Sequence, residues 1–293
     1  MKTTNILRVI IPVGIVLTAI FFLAGCASKK NIWGDTKKGL VLNYRMIEGT
    51  PYTYNVKSDV NQEMEINQQK LSVIMNSIQE YTFTSESSAA DPLQLNVTID
   101  TMALFIKSPM KEMEPGMANV IGKSLVMKLS SSGYESNLEG AKEITYDIGP
   151  ETRNLGSEFQ GFFPNLPSNP IQPGDTWSYQ DTIMEESGGN WLGIYANNSA
   201  TLIGYESLGE RECAHITIVN TGTIHGKGST QGVDTETTGD FSGTDQIWFD
   251  YKEGVLIKIV SKGSAKTQTQ TSGERQMIIP ATRDMTKTVI LAD

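Results

Sequence analysis

Past residue 39, apolar and polar residues alternate with a period of two over most of the chain. Tyr52, Tyr54 and Val56 alternate with Thr53 and Asn55, and Leu93, Leu95, Val97 and Ile99 with Gln94, Asn96 and Thr98. Ile216 and Ile218 are interleaved with Thr217 and Val219. Such alternation buries one face of a strand and wets the other, the habit of antiparallel sheets. Thr and Gln fill the wet face, as in Thr267-Gln268-Thr269-Gln270-Thr271, where polar β-branched residues suit a pleated surface. Ser131-Ser132-Gly133 and Lys252-Glu253-Gly254 each separate two such runs and read as hairpin turns. Leu71, Ile74, Met75 and Ile78 fit helical spacing, but Leu71, Val73 and Met75 also fit a strand. The flank Tyr81-Thr82-Phe83-Thr84 favours the strand. The pattern predicts a mostly β fold: long, twisted antiparallel strands in two packed units, with one or two short helices.

Two stretches carry helical spacing. Lys111 to Ile121 places Met113, Met117, Val120 and Ile121 on one stripe with Met110 at its edge; Pro115-Gly116 shortens any helix to the second half. Glu151 to Phe162 aligns Leu155, Phe159 and Phe162. Pro167, Pro170 and Pro173 then mark a connector at 163–173 between a first unit, 39–162, and a second, 174–293. Gly49-Thr50-Pro51-Tyr52-Thr53-Tyr54 and Gly174-Asp175-Thr176-Trp177-Ser178-Tyr179 open the two units alike, each with aromatics two apart. A related pair of units is therefore expected.

The N-terminus reads as an export signal over residues 1–25. Lys2 and Arg8 precede an apolar run, Val9 to Leu23, broken by Pro12, Gly14 and Thr18. Its length suits a signal better than a spanning helix, which needs about 18 or more apolar residues. Loss of this segment leaves 268 residues and removes Lys2 and Arg8 from 24 basic residues, so 22 face 33 acids, a net charge of −11. Like charge then argues against nucleic acid as a partner. Residues 26–38 read as a tether in which Lys29, Lys30, Lys37 and Lys38 face the single acid Asp35. About 12 flexible residues reach roughly 20 Å. Lysines there suit anionic headgroups, and Trp33 suits either the membrane interface or packing on the body.

Leu23-Ala24-Gly25-Cys26 closes the apolar run and resembles the lipobox of bacterial lipoproteins. The resemblance implies cleavage before Cys26, acyl chains on its sulfur, and a place in the cell envelope. Ala27 is permissive for the outer membrane in an organism with two membranes. Two or three chains anchor stably, since each buried methylene contributes about 0.8 kcal/mol. Cys213, the other of two cysteines, then has no disulfide partner. The segment Leu166-Pro167-Ser168-Asn169-Pro170-Ile171-Gln172-Pro173-Gly174-Asp175-Thr176-Trp177 and the hairpin from Gly122 to Gly133 resemble features of uncharacterised β-rich bacterial lipoproteins. More remotely, a curved sheet with short helices resembles the half-barrel of periplasmic lipoprotein carriers, a fold-level analogy.

No constellation points to catalysis. Gly116 to Ser124 has five residues between its glycines where a phosphate-cradling loop needs four. Cys213 and His215 share a strand face and His225 follows, but zinc wants three or four such ligands and no second pair exists. No Gly-x-Ser-x-Gly elbow occurs, and Glu185-Glu186 reads as a solvated pair. Neither a metal nor a cofactor is expected. The remaining feature is the group Met110, Met113, Met117, Val120 and Ile121. Thioethers adapt to irregular apolar partners, so this segment reads either as a lid over an apolar ligand or as ordinary core. The sequence therefore predicts a non-enzymatic envelope protein, held by lipid on Cys26, that binds an apolar ligand or an envelope protein. A structural role in an envelope complex is the alternative, and a hydrolase built from distant acids a lesser one.

Overall fold

The computed structural model describes residues 38–292 apart from 89, 150, 231 and 273–275. Cys26, the export signal and the tether up to Lys37 lie outside the described residues. The described residues form one compact unit.

Among the described residues fourteen strands run in chain order. They are β1 (Pro51–Ile66), β2 (Gln69–Ser85), β3 (Leu93–Lys107), β4 (Glu112–Met113), β5 (Ser124–Leu129), β6 (Glu135–Ser136), β7 (Thr145–Ile148) and β8 (Glu151–Asn154). The second half holds β9 (Thr176–Ser187), β10 (Asn190–Leu208), β11 (Arg211–Thr230), β12 (Val233–Asp250), β13 (Val255–Thr271) and β14 (Ile278–Leu291). A five-residue helix α1 (Glu139–Glu143) and a 3-10 turn at Gly156–Glu158 complete the described elements. One twelve-stranded sheet runs β6-β5-β3-β2-β1-β14-β13-β12-β11-β10-β9, with β4 beside β3. β7 and β8 form a separate hairpin. The strands on both sides of residues 163–173 thus share one sheet, joined where β1 pairs with β14.

The period-two expectation holds in detail. β2 takes the ambiguous 71–78 stretch as strand, with Tyr81, Phe83 and Gln79 buried on one face. The turn at Lys252-Glu253-Gly254 forms because the buried Asp250 carboxylate accepts the N–H groups of Lys252 and Glu253 at 3.0 and 2.9 Å. Gly254 stands at φ 73°, and any Cβ there would lie 2.6 Å from the Asn43 carbonyl oxygen, so only glycine fits. The two expected helices do not form. Residues 111–121 instead pair briefly as β4 and then close in turns around Met117, because Pro115 and Gly116 deny the stretch a full helical turn. Residues 151–154 are drawn into the β7–β8 hairpin, which leaves only the 3-10 turn of the predicted second helix.

The core sits on one face of the sheet, under the connection from β6 to β9. Phe159, Phe162, Phe163, Leu166 and Ile171 of that connection are buried. They meet Tyr54, Tyr81 and Phe83 from β1 and β2 and Tyr44 from the chain before β1, with ring centroids 5.0–6.4 Å apart. Edge-on and tilted contacts of this kind each contribute about 0.5–1.5 kcal/mol beyond area burial. The buried hydroxyls of Tyr44 and Tyr54 donate to Pro164 O at 2.9 Å and Leu256 O at 3.0 Å.

The same connection ties both edges of the sheet. On the β6 side, Glu135 accepts the N–H groups of Phe163 and Gly161 at 2.7 and 3.3 Å. On the β9 side, the Gln160 amide both accepts from Met184 N at 2.7 Å and donates to Met184 O at 3.3 Å. Asn154 donates to Glu186 O at 2.7 Å, and Trp177 donates to Asn165 O at 3.0 Å. The Gln160 and Asn154 amides satisfy β9 backbone groups that an edge strand otherwise offers to other chains, while Glu135 and Trp177 satisfy backbone groups of the connection itself. With both edges bound to one buried segment, the sheet curls around it, and the aromatic face is the concave one.

Candidate functional site

The strands are longer than the core they cover. Cross-strand register carries the concave face outward past the aromatic cluster, through rows such as Val73–Gln62–Arg283–Ala265–Phe241–Gly222–Ala196–Asp181. On this outer stretch Val60, Met64, Leu71, Val73 and Met75 are only half-buried, as are Ile183, Leu192, Ile194 and Phe241. Met285 is 38% exposed. This face therefore carries a strip of half-buried apolar residues beyond the aromatic cluster, and at its β9 end the connection reaches it through Arg153 and Asn154, which meet Glu185 and Glu186. Gly222 shares this face. A Cβ there would collide with the Tyr195 carbonyl and stand 2.6 Å from the Phe241 ring, so the missing side chain lets β10, β11 and β12 approach and bend.

Polar groups interrupt the strip, Gln62 and Arg283 lying one same-face position outward of Val60 and Met285. Arg283 donates through Nε and Nη2 to Gln62 Oε1 at 3.2 and 2.7 Å. Arg153 on β8 pairs with Glu185 at 3.3 Å and with Glu151 at 3.3 Å. Burial and the neighbouring Arg153 pull the Arg283 pKa down, and Glu185 opposes them. β9 and β14 are five strands apart in the sheet order, so this influence of Glu185 on Arg283 requires the curl. On the same face, burial raises the carboxyls of Asp181 and Asp245 above the usual range. Asn165 and Asn198 both donate to Asp181 at 3.1 Å, and Asn220 donates to Asp245 at 2.9 Å. Glu135 is pushed up to about 8 by burial, against the pull of its two N–H donors. It serves the plug rather than the strip.

The opposite face of the sheet carries an open groove of about 670 Å³. Apart from Met64, Gly239, Thr267 and Ala281, register places all its lining residues on that outer face. Glu63, Glu65 and Asp240 line it together with Lys70, Lys266, His225 and several threonines. The lining is polar and of mixed charge, so it suits a hydrogen-bonding ligand.

The group read either as a lid over an apolar ligand or as ordinary core is divided between buried and exposed positions. Met117 and Val120 are buried at 5% and 0% exposure, whereas Met110 is 87% and Ile121 44% exposed, with Met113 between them. Met113 pairs with Ile106 at the end of β3. Cys213 is buried and its thiol is pushed up to about 12, chiefly by burial, so it is a poor ligand or nucleophile. His215 stacks on Trp248 at 4.9 Å and bonds Gln246 Oε1 at 2.7 Å. His225 lies in the outer groove, 5.9 Å from the Tyr195 ring. Among the described residues no group of three or more His, Cys, Asp or Glu side chains is placed to hold a metal. Glu185 and Glu186, expected to be free in solvent, pair with Arg153 and Lys142.

No family model matches this chain, and no curated protein does. Among solved structures, Pseudomonas aeruginosa OccK2 (OpdF) aligns at a TM-score of 0.20 with 9% identity, over 83% of this chain and 98% of that one. Pseudomonas aeruginosa OccK8 (OprE) aligns at 0.17 with 8% identity over the same shares. Similarities this low carry no argument about fold or function.

Proposed function

We propose that this protein is a non-enzymatic, lipid-anchored envelope protein that binds an apolar ligand along the concave face of its sheet. The observation that supports it is the strip of half-buried Val60, Met64, Val73, Met75 and Phe241. Contiguous apolar surface left open on a folded protein marks an interaction site. A twelve-carbon chain laid on it gains about 10 kcal/mol at ~0.8 kcal/mol per methylene. Association costs of about 4–15 kcal/mol leave a modest net affinity, which suits a carrier that must also release. Native mass spectrometry of gently purified protein tests this. Lipid should co-purify and be lost in Met75→Asp. A ligand-free spectrum that stays so after incubation with amphiphiles would sink it.

The outer groove supports a second reading, a polar ligand of several hydrogen-bonding groups held between Lys70, Lys266 and Asp240. Under that reading Asp240→Ala removes binding while Met75→Asp does not.

A further inference from the structure

Two cross-strand rows floor the groove of about 670 Å³ on the outer face. The first runs Glu63–Thr282–Lys266–Asp240–Thr223 and ends at Tyr195 on β10. The second lies one same-face position nearer the hairpin ends. It runs from Pro280 through Gln268 to His225 and ends at Gly193. At about 4.8 Å between strands, the first row is roughly 24 Å long. Tyr195 closes the β10 end of both rows. A Cβ at Gly193 would stand 2.9 Å from the Tyr195 hydroxyl and 3.0 Å from a ring carbon, so glycine there lets the ring lie down over the strand. The ring is 39% exposed and its centroid is 5.9 Å from that of His225.

The charges of the groove stand apart. Glu65 faces Lys70 and Asp240 faces Lys266 in register. Yet among the described residues Glu63, Glu65, Asp240, Lys70 and Lys266 make no ion pair and no side-chain hydrogen bond. Carboxylates that only accept thus alternate with ammoniums that only donate, beside Thr and Gln groups that do both. A simple anion meets Glu63 and Asp240 as readily as Lys266, and a simple cation meets the lysines. A polyol suits the whole set, because each hydroxyl donates to a carboxylate and accepts from an ammonium at once. The apolar C–H face of a sugar ring packs on an amphipathic tyrosine.

We infer that the outer groove binds an uncharged oligosaccharide, with one ring on Tyr195 and the next rings along the rows toward Glu63. This rests on the outer-groove reading above and names its ligand class.

Saturation-transfer NMR on the full protein with maltotetraose, chitotetraose and the peptide Lys-Glu-Lys-Glu tests this. At least one sugar should bind, with the strongest transfer to its ring C–H protons, and the peptide should not. Tyr195→Ala should weaken the sugar about tenfold, and Tyr195→Phe should bind as the parent does. Gly193→Ala, whose added carbon displaces the ring, should act like Tyr195→Ala. Asp240→Ala should abolish binding, and Met75→Asp on the other face should leave it unchanged. Circular dichroism should show each variant folded. Binding of the peptide, with or without the sugars, overturns the sugar site but leaves the polar groove standing, as does sugar binding that Tyr195→Ala and Gly193→Ala leave unchanged. If none of the probes binds, or Asp240→Ala binds as the parent does, the groove reading fails with it.

Discussion

Lowering the pH from neutrality should stabilise this protein, and Glu135 is the residue to change. Its carboxyl sits at the junction of β6 with the buried connection, accepting Phe163 N–H and Gly161 N–H. Burial lifts its pKa from 4.5 to about 8. An acid whose folded pKa is raised binds its proton more tightly in the folded state. Its contribution is fully present below the unfolded value and is lost as pH rises through the folded one. Between these limits the slope is about −1.4 kcal/mol per pH unit. Working the two-state expression from about pH 5.5 to about pH 7.5 gives a loss of roughly 2.5 kcal/mol. For a domain of this size that is roughly 5–10 °C in Tm. Asp181 and Asp245, both raised by burial, add in the same direction. Glu135→Gln keeps the shape, retains an acceptor for Phe163 and cannot ionise, so most of the slope should vanish. Urea unfolding followed by tryptophan fluorescence at several pH values reads this directly. A stability that is flat or rises over that interval, or a Glu135→Gln variant with the parent's slope, refutes the placement of a buried carboxyl at this junction.

Three further outcomes are expected. Phe163→Ala should cost about 3–5 kcal/mol, since its ring is fully buried against Tyr44 and Phe83; a midpoint unchanged in urea would refute the plug. Gly222→Ala should cost about 2 kcal/mol or more, because the added carbon meets the Tyr195 carbonyl, and Gly116→Ala, where nothing stands within 4 Å, should cost far less. Cys26→Ser should release the protein from membranes into the soluble fraction, measured by fractionation with metabolic acyl labelling.

The strands were legible because one signal, period-two alternation, recurs with turn residues between repeats. Even the ambiguous 71–78 stretch was decided correctly by its β-rich flank. The helices misled for a local reason. Met113, Met117 and Val120 do lie at helical spacing, but Pro115-Gly116 sits inside the pattern, and Glu151–Asn154 found a strand partner in Thr145–Ile148. Tertiary pairing outranks propensity in stretches this short.

The candidate site was less legible, because it depends on which strand ends outrun the core. Alternation marks Val60, Met64 and Met75 as residues of one face but cannot say that no segment covers them. Arg153 and Arg283 are 130 positions apart in sequence, and Glu185 and Arg283 sit five strands apart in the sheet. Only the curl brings their charges into one field. That curl in turn depends on the connection from Tyr134 to Pro173, where Glu135, Gln160, Asn154 and Asn165 hold opposite edges of the sheet. A chain that closes its sheet through side-chain amides and one carboxyl, rather than through a ladder of backbone bonds, can open there at a cost of a few hydrogen bonds, each contributing about 0.5–1.5 kcal/mol. The plug is thus both the inner boundary of the strip and the weakest seam of the sheet, and the seam loosens as rising pH ionises Glu135.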